Sequence, residues 1–254
     1  MKFGISNLAI VPMRGKAADE SEMINQILFG EHFKVLESRK NWSRIRLAHD
    51  SYEGWICNKQ WIKLSEEDYR QLDKDVSTVT TDILDIITKN NHQPIVIGSI
   101  LPFFKSGHAV INKEMYQFNG LTTPGFVKKV KLVENSLIFL NAPYLWGGRS
   151  PLGIDCSGFT QIVYRLQGVH LPRDAYQQSE IGSTLSFIEE SEPGDLAFFD
   201  NIEGRITHVG IILEDNHIIH SSGKVRIDRI DQQGIFNSEK GNHTHKLRII
   251  KSII

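Results

Sequence analysis

The sequence is poor in cysteine. Cys57 and Cys156 are the only two among 254 residues, so no disulfide framework holds the fold together. Long hydrophobic runs are missing too, and nothing reaches the roughly 18 consecutive apolar residues that a membrane-spanning helix needs. The N-terminal apolar stretch is broken by Ser6 and Asn7 and stopped by Pro12, which makes a poor signal peptide. The expected setting is the cytoplasm, or the periplasm if a leader has been trimmed ahead of Met1. Neither sign of charge is in excess: 29 Lys+Arg stand against 30 Asp+Glu, a net charge of −1. That balance argues against a broad basic surface for nucleic acid, and no membrane partner is expected. The sequence has no CxxC, no HExxH and no glycine-rich phosphate loop. His217 and His220 face opposite sides of a strand. His243-Thr244-His245 offers two rings but no third ligand and reads as a solvated terminal segment. No metal and no cofactor are therefore predicted.

What is present is ordinary globular composition, 40% hydrophobic and 23% charged, which excludes disorder as the main state. Residues 1–64 carry short apolar or alternating segments at Phe33–Leu36, Arg44–Leu47 and Gly54–Ile56, with Trp42, Trp55 and Trp61 as large contributors to a small core. A compact β-barrel is the predicted solution, because closure removes strand edges. Residues 65–75 are polar and read as a linker or a short solvated helix. Residues 76–125 resume the strand-like pattern around 94–98 and 108–112 and suggest a second small barrel, although Thr80–Lys89 would also suit a helix. From residue 126 the texture changes. Apolar positions 127, 130, 133, 137 and 140 predict a helix over Val127–Leu140. Phe159, Ile162, Val163 and Leu166 predict another, closed by Gly168. Strands follow at Asp195–Phe199, Val209–Leu213 and His217–His220. Helices followed by a sheet make an α+β pattern.

The segment Ile154-Asp155-Cys156-Ser157-Gly158 puts a cysteine at a helix N-terminus. Unpaired N–H groups and the helix dipole favour an anion there, so a lowered thiol pKa is expected, and the same N–H groups suit an oxyanion. A buried structural cysteine is the competing reading. The cysteine needs a base. His208 opens an apolar strand and His220 lies in the next one, so adjacent strands can set His208 beside Cys156 and let His220 hold its other nitrogen. Two histidines with a helix-start cysteine favour nucleophilic catalysis.

Four ordered segments, Asp155-Cys156-Ser157-Gly158, Pro193-Gly194-Asp195-Leu196, His208-Val209-Gly210-Ile211 and His220, resemble the NlpC/P60 family of cysteine peptidases, and Tyr144-Leu145-Trp146-Gly147-Gly148 is similar to its aromatic-Gly-Gly segment. The resemblance implies a papain-like NlpC/P60 domain over 126–254, preceded by two small SH3-like β-barrels, 1–64 and 65–125 with its linker. Ser21-Glu22-Met23, Gly30-Glu31 and Tyr52-Glu53-Gly54-Trp55 look like bacterial SH3 motifs. This architecture resembles the YkfC-like branch, which implies hydrolysis of the γ-D-glutamyl–diamino acid bond in murein tripeptides or tetrapeptides with a free N-terminal L-Ala, during peptidoglycan recycling. Cys156 would be the nucleophile, His208 the base and His220 the orienting residue. The first barrel would wall the substrate pocket.

A free amine is a cation and needs carboxylates. Asp174 matches the branch's aspartate for that amine, while Ala175 stands where a serine is common. Glu22 and Tyr52 are the candidates from the first barrel, against readings as a surface carboxylate and a packing ring. Tyr144 is expected to aim its phenol at the oxyanion and Trp146 to pack beside the substrate, against readings as core aromatics. Asp155 either caps the helix or accepts from substrate backbone, and Ser157 lies beside it at the pocket. The alternatives are an endopeptidase or amidase on intact cell wall, and a non-catalytic protein that binds peptide or wall.

Overall fold

The computed structural model describes residues 2–125 and 128–254. The first position of the helix predicted over Val127–Leu140, and the first two of the domain predicted from residue 126, lie outside the described residues. The chain forms two compact units. One holds the N-terminal half with Trp146–Gly148 and Gly168–His170; the other holds Arg149–Gln167, Leu171–Ile254 and the stretch ending at Leu145. No described helix is long and apolar enough to cross a membrane.

In the first unit, seven strands pair in the order Met23–Leu28, Ile10–Arg14, Glu53–Cys57, Trp42–Leu47, His32–Ser38, Lys2–Ile5 and Ile62–Leu64. Period-two alternation builds them. In Trp42–Leu47, Ser43, Ile45 and Leu47 are buried while Arg44 and Arg46 are exposed and clamp Glu53 on the neighbouring strand at 2.7 and 2.5 Å. The inner face is filled by Val11, Met13, Ile27, Phe33, Val35, Ile45, Leu47 and Ile56. The tryptophans contribute less than expected: Trp55 is buried and stacks under Arg39, and Trp61 meets Phe33 edge-on, but Trp42 is only half-buried.

Residues 65–75 are not a linker. Helix α1 (Glu66–Leu72) is capped by the Ser65 hydroxyl, which accepts from the Asp68 N–H at 2.9 Å. It buries Tyr69 and Leu72 in a core shared with Phe3, Phe29, Ile87 and Phe118. Thr80–Lys89 is not a helix either; it contributes the strands Val79–Thr80 and Leu84–Thr88. The segment predicted as a second barrel folds as a four-stranded antiparallel sheet plus a two-stranded ribbon.

In the second unit, α2 (Lys129–Leu137) is shorter than predicted and turns a different face inward. Leu132 and Ser136, one turn apart, are buried, while Val130, Leu137 and Leu140 are exposed. Asn141, at φ +69°, bends the chain after it. Helix α3 (Cys156–Arg165) is buried on every side, and Tyr164 donates to the Gly194 carbonyl at 2.6 Å. That bond gives the Pro-Gly-Asp segment a structural task. α4 (Ala175–Gln178) is a single turn.

The sheet extends further than the sequence reading. Its order is Ser183–Leu185, Asn242–Ser252, Leu196–Asp200, Ile206–Ile212, His217–Ser222, Lys224–Asp231 and Gly234–Asn237. Asn242–Ser252 also pairs with Gly234–Asn237, so six strands close into an antiparallel barrel. His243-Thr244-His245 is therefore not a solvated tail but part of the closing strand.

Candidate active site

Cys156 is the first residue of α3, behind its N-cap Asp155. The Asp155 side chain accepts from the Gly158 N–H at 2.7 Å, which satisfies one of the helix's orphan donors. Both carboxylate oxygens also meet the fully buried Arg173, at 3.0 and 2.5 Å, and Arg173 donates to the Ser157 hydroxyl at 3.0 Å. Of the two roles open to Asp155, capping is the one observed, reinforced by an ion pair that fixes the start of α3. Removing either buried partner would strand a charge, so both are needed to hold the cysteine in place.

The barrel register delivers the histidines. Phe199 pairs with His208, Gly210 with His220, and His220 with Arg226. His208 and His220 are thus diagonal neighbours on one sheet face, and their rings meet at 2.8 Å, His208 Nε2 to His220 Nδ1. Gly210 makes this approach possible: a Cβ there would lie 2.9 Å from the His220 Cβ and 2.7 Å from Ile218. Because Nε2 of His208 is committed to His220, Nδ1 is the nitrogen left for the thiol. The Val209 N–H next to His208 and the Ser157 N–H both hydrogen-bond the Cys156 sulfur.

Electrostatics differ from the expected lowered thiol pKa. Burial pushes Cys156 up to about 12, and the Asp155 charge adds to this; the Val209 and Ser157 N–H groups and Arg173 pull the other way without prevailing. Burial, with help from His220 and His245, drives His208 well below its ordinary value. In both groups desolvation favours the uncharged form and outweighs the helix dipole. Tyr144 is pushed up to about 12 by burial first, then by the charges of Cys156 and Asp155, so its phenol keeps its proton and can donate.

Two side chains at the site escaped the sequence reading. Asp228 accepts from His220 Nε2 at 3.0 Å. His245 stacks on His208 with centroids 4.3 Å apart and planes 27° apart. Burial lowers its pKa to about 4, so a neutral ring rests on the base at pH 7. The signal for His245 was the alternating pattern of 242–252, which marks a strand rather than a tail.

The remaining predicted residues are placed as follows. Asp174 is half-buried at the N-cap of α4, its N–H donating to Gln177 Oε1 at 3.1 Å. Glu22, Tyr52 and Trp146 belong to the first unit. The Trp146 indole donates to Glu22 at 2.6 Å. Trp146 is 59% exposed and Tyr144 36%, so neither is a core ring, whereas Tyr52 packs against the first-unit core. Both cysteines are free thiols. No cluster of metal-ligating side chains occurs among the described residues.

Comparison with known proteins identifies the domains that carry these residues. Residues 141–241 match the NlpC/P60 family, and residues 13–60 match the bacterial dipeptidyl-peptidase SH3 domain. The chain is 28% identical to a γ-D-glutamyl-L-lysine dipeptidyl-peptidase of Bacillus cereus, covering 79% of this chain and 68% of that protein. It is 27% identical to dipeptidyl-peptidase 6 of Lysinibacillus sphaericus, covering 84% and 86%. A crystal structure of an NlpC/P60 family protein from Bacillus cereus has the same fold, with a TM-score of 0.83 over 99% of each chain at 18% identity. With its cysteine at a helix start, its paired histidines and a matched SH3 domain ahead of them, the chain carries an NlpC/P60 cysteine-peptidase domain behind a bacterial SH3 domain.

Proposed function

We propose that the protein hydrolyses the γ-D-glutamyl–diamino acid bond of murein peptides with a free N-terminal L-Ala, as a step in peptidoglycan recycling. The observation that carries the reading is the buried Cys156 beside the His208–His220 pair. The substrate is supported by the likeness to the γ-D-glutamyl-L-lysine dipeptidyl-peptidase of Bacillus cereus and by Asp174, a carboxylate suited to an ammonium group. Glu22 and Tyr52 are proposed as further determinants of that end of the peptide. Residues 65–125 are read as a second SH3-like module with its connecting segment.

In the proposed reaction His208 Nδ1 takes the Cys156 proton as sulfur bonds to the D-Glu γ-carbonyl carbon. The carbonyl π pair moves to oxygen, where the Cys156 N–H and the Tyr144 phenol stabilise the anion. As the intermediate collapses, the C–N bond breaks and imidazolium His208 gives its proton to the leaving amine. Water, deprotonated by His208, then cleaves the thioester and restores the thiol. L-Ala-γ-D-Glu-L-Lys and its diaminopimelate counterpart, incubated with the protein, should each yield L-Ala-γ-D-Glu and the free diamino acid by mass. If both peptides stay intact while sacculi are solubilised, the protein is a wall hydrolase instead.

A further inference from the structure

The relay does not end at His220. Asp228, on the strand Lys224–Asp231, is buried and diagonal to His220, since Ile218 pairs with Asp228 and His220 with Arg226. Its Oδ2 lies 3.0 Å from His220 Nε2. Arg226 grips the same carboxylate in a fork, Nε to Oδ2 at 2.7 Å and Nη2 to Oδ1 at 2.9 Å, and also reaches Glu239 at 3.3 Å. Burial alone would raise the Asp228 pKa, but the bonds from His220 and Arg226 carry it below its ordinary value. The carboxylate is ionised and can only accept.

We infer that Asp228 is a positioning residue which sets the tautomer of both histidines and thereby leaves the lone pair of His208 Nδ1 facing the thiol. Because Asp228 accepts, the shared proton sits on His220 Nε2. With that single ring proton, His220 has its lone pair on Nδ1 and accepts the His208 Nε2 proton across the 2.8 Å contact. His208 Nδ1 is left unprotonated, the state a base requires. With the opposite tautomer on His220, the chain reverses and His208 Nδ1 carries a proton, which blocks transfer from Cys156. This inference rests on Cys156 and His208 being nucleophile and base, but not on which peptide is cleaved.

The other groups around the relay do not compete for this task. His245 presents its ring face to His208 and Phe199 lies tilted against it, 5.7 Å between centroids. Lys240, with Asn237 and Thr244, lines a cavity of about 410 Å³ bordered by His220, Asp228 and His245; no hydrogen bond from its ammonium reaches the relay among the described contacts.

Asp228→Leu tests the idea by removing the acceptor for His220 Nε2 at similar volume. At pH 7.5, ¹H–¹⁵N correlation spectra of the wild type should show both rings protonated at Nε2, and those of Asp228→Leu should lose that pattern on both rings. Alkylation of Cys156 by iodoacetamide should slow about 10- to 100-fold in Asp228→Leu, the scale of loss when the second partner of an oriented imidazole is removed. Asp228→Asn is the conservative variant. The Oδ2 position receives two donors, His220 Nε2 and Arg226 Nε, and the Oδ1 position one, Arg226 Nη2, so the amide oxygen takes the Oδ2 position and still accepts from His220. Asp228→Asn should therefore keep the wild-type tautomers and most of the alkylation rate even though it weakens the Arg226 fork, whereas a merely structural Asp228 would lose alkylation in both variants. A wild-type spectrum with His220 protonated at Nδ1 overturns the inference whatever the variants do, and so does unchanged alkylation in a folded Asp228→Leu protein. None of these readouts uses the tripeptide, so a wrong substrate leaves them interpretable.

Discussion

Cys156→Ala should abolish turnover while leaving the fold intact. The thiol is the proposed nucleophile, and removing such a group from a machine that acts as a unit costs on the order of 10⁵–10⁶ in kcat. Cys156 is 7% exposed and alanine fits a helix start, so the melting temperature should move by a few degrees at most. Cys57→Ala is the control. Cys57 is half-buried at the end of a first-unit strand, and its loss should leave kcat unchanged. Steady-state kinetics on the two purified variants decide the matter. Near-wild-type hydrolysis by Cys156→Ala would remove the mechanism altogether.

His208→Ala should be the next most damaging change and should exceed His220→Ala. The base takes part in both proton transfers, and removing a general base costs roughly 10²–10⁴-fold. In the proposed roles His220 acts only through His208, across the 2.8 Å contact between its Nδ1 and His208 Nε2. Without it, His208 is still held between Phe199 and the stacked His245, so part of its orientation survives. Measured kcat values should therefore rank wild type, His220→Ala, His208→Ala. A reversed ranking would assign the base to His220. Because burial drives the His208 pKa well below 6.5, the acid limb of kcat/KM in the wild type should also lie below that value. The base is then fully unprotonated at neutral pH and is lost only as the pH falls through the lowered pKa.

Most of the candidate site was legible in the sequence because its chemistry is local. Asp155-Cys156-Ser157-Gly158 states its own helix start, and two apolar strands with a histidine in each state their own pairing. What was not legible depends on register and closure. Asp228 joins the relay only because His217–Ser222 and Lys224–Asp231 pair with a particular offset, which no single strand reveals. His245 joins because Asn242–Ser252 closes the barrel, and a polar-looking tail hid its period of two. The thiol pKa went the wrong way because the helix dipole is visible in sequence while the burial that outweighs it is tertiary. The linker reading of 65–75 failed for a similar reason: Tyr69 and Leu72 are two apolar residues in a charged stretch, and they are the two that α1 buries. In α2 the period of the apolar residues was right but the inward face was not, because Ser136 satisfies its hydroxyl on the Val133 carbonyl at 2.7 Å and can be buried.

The central claim is recognition of a free L-Ala amine, and the ratio of kcat/KM for L-Ala-γ-D-Glu-L-Lys and its N-acetyl form tests it most directly. An ammonium bound by Asp174 becomes a neutral amide on acetylation and leaves the carboxylate without its cation. Loss of one partner from a buried charge pair costs about 3–5 kcal/mol, or roughly two to four decades in rate. Asp174 is half-buried, so the low end applies, and acetylation should lower kcat/KM at least about a hundredfold. Asp174→Asn should shrink the ratio itself and not merely slow both substrates. Equal cleavage of the free and acetylated peptides would contradict the account and leave the wall endopeptidase in its place.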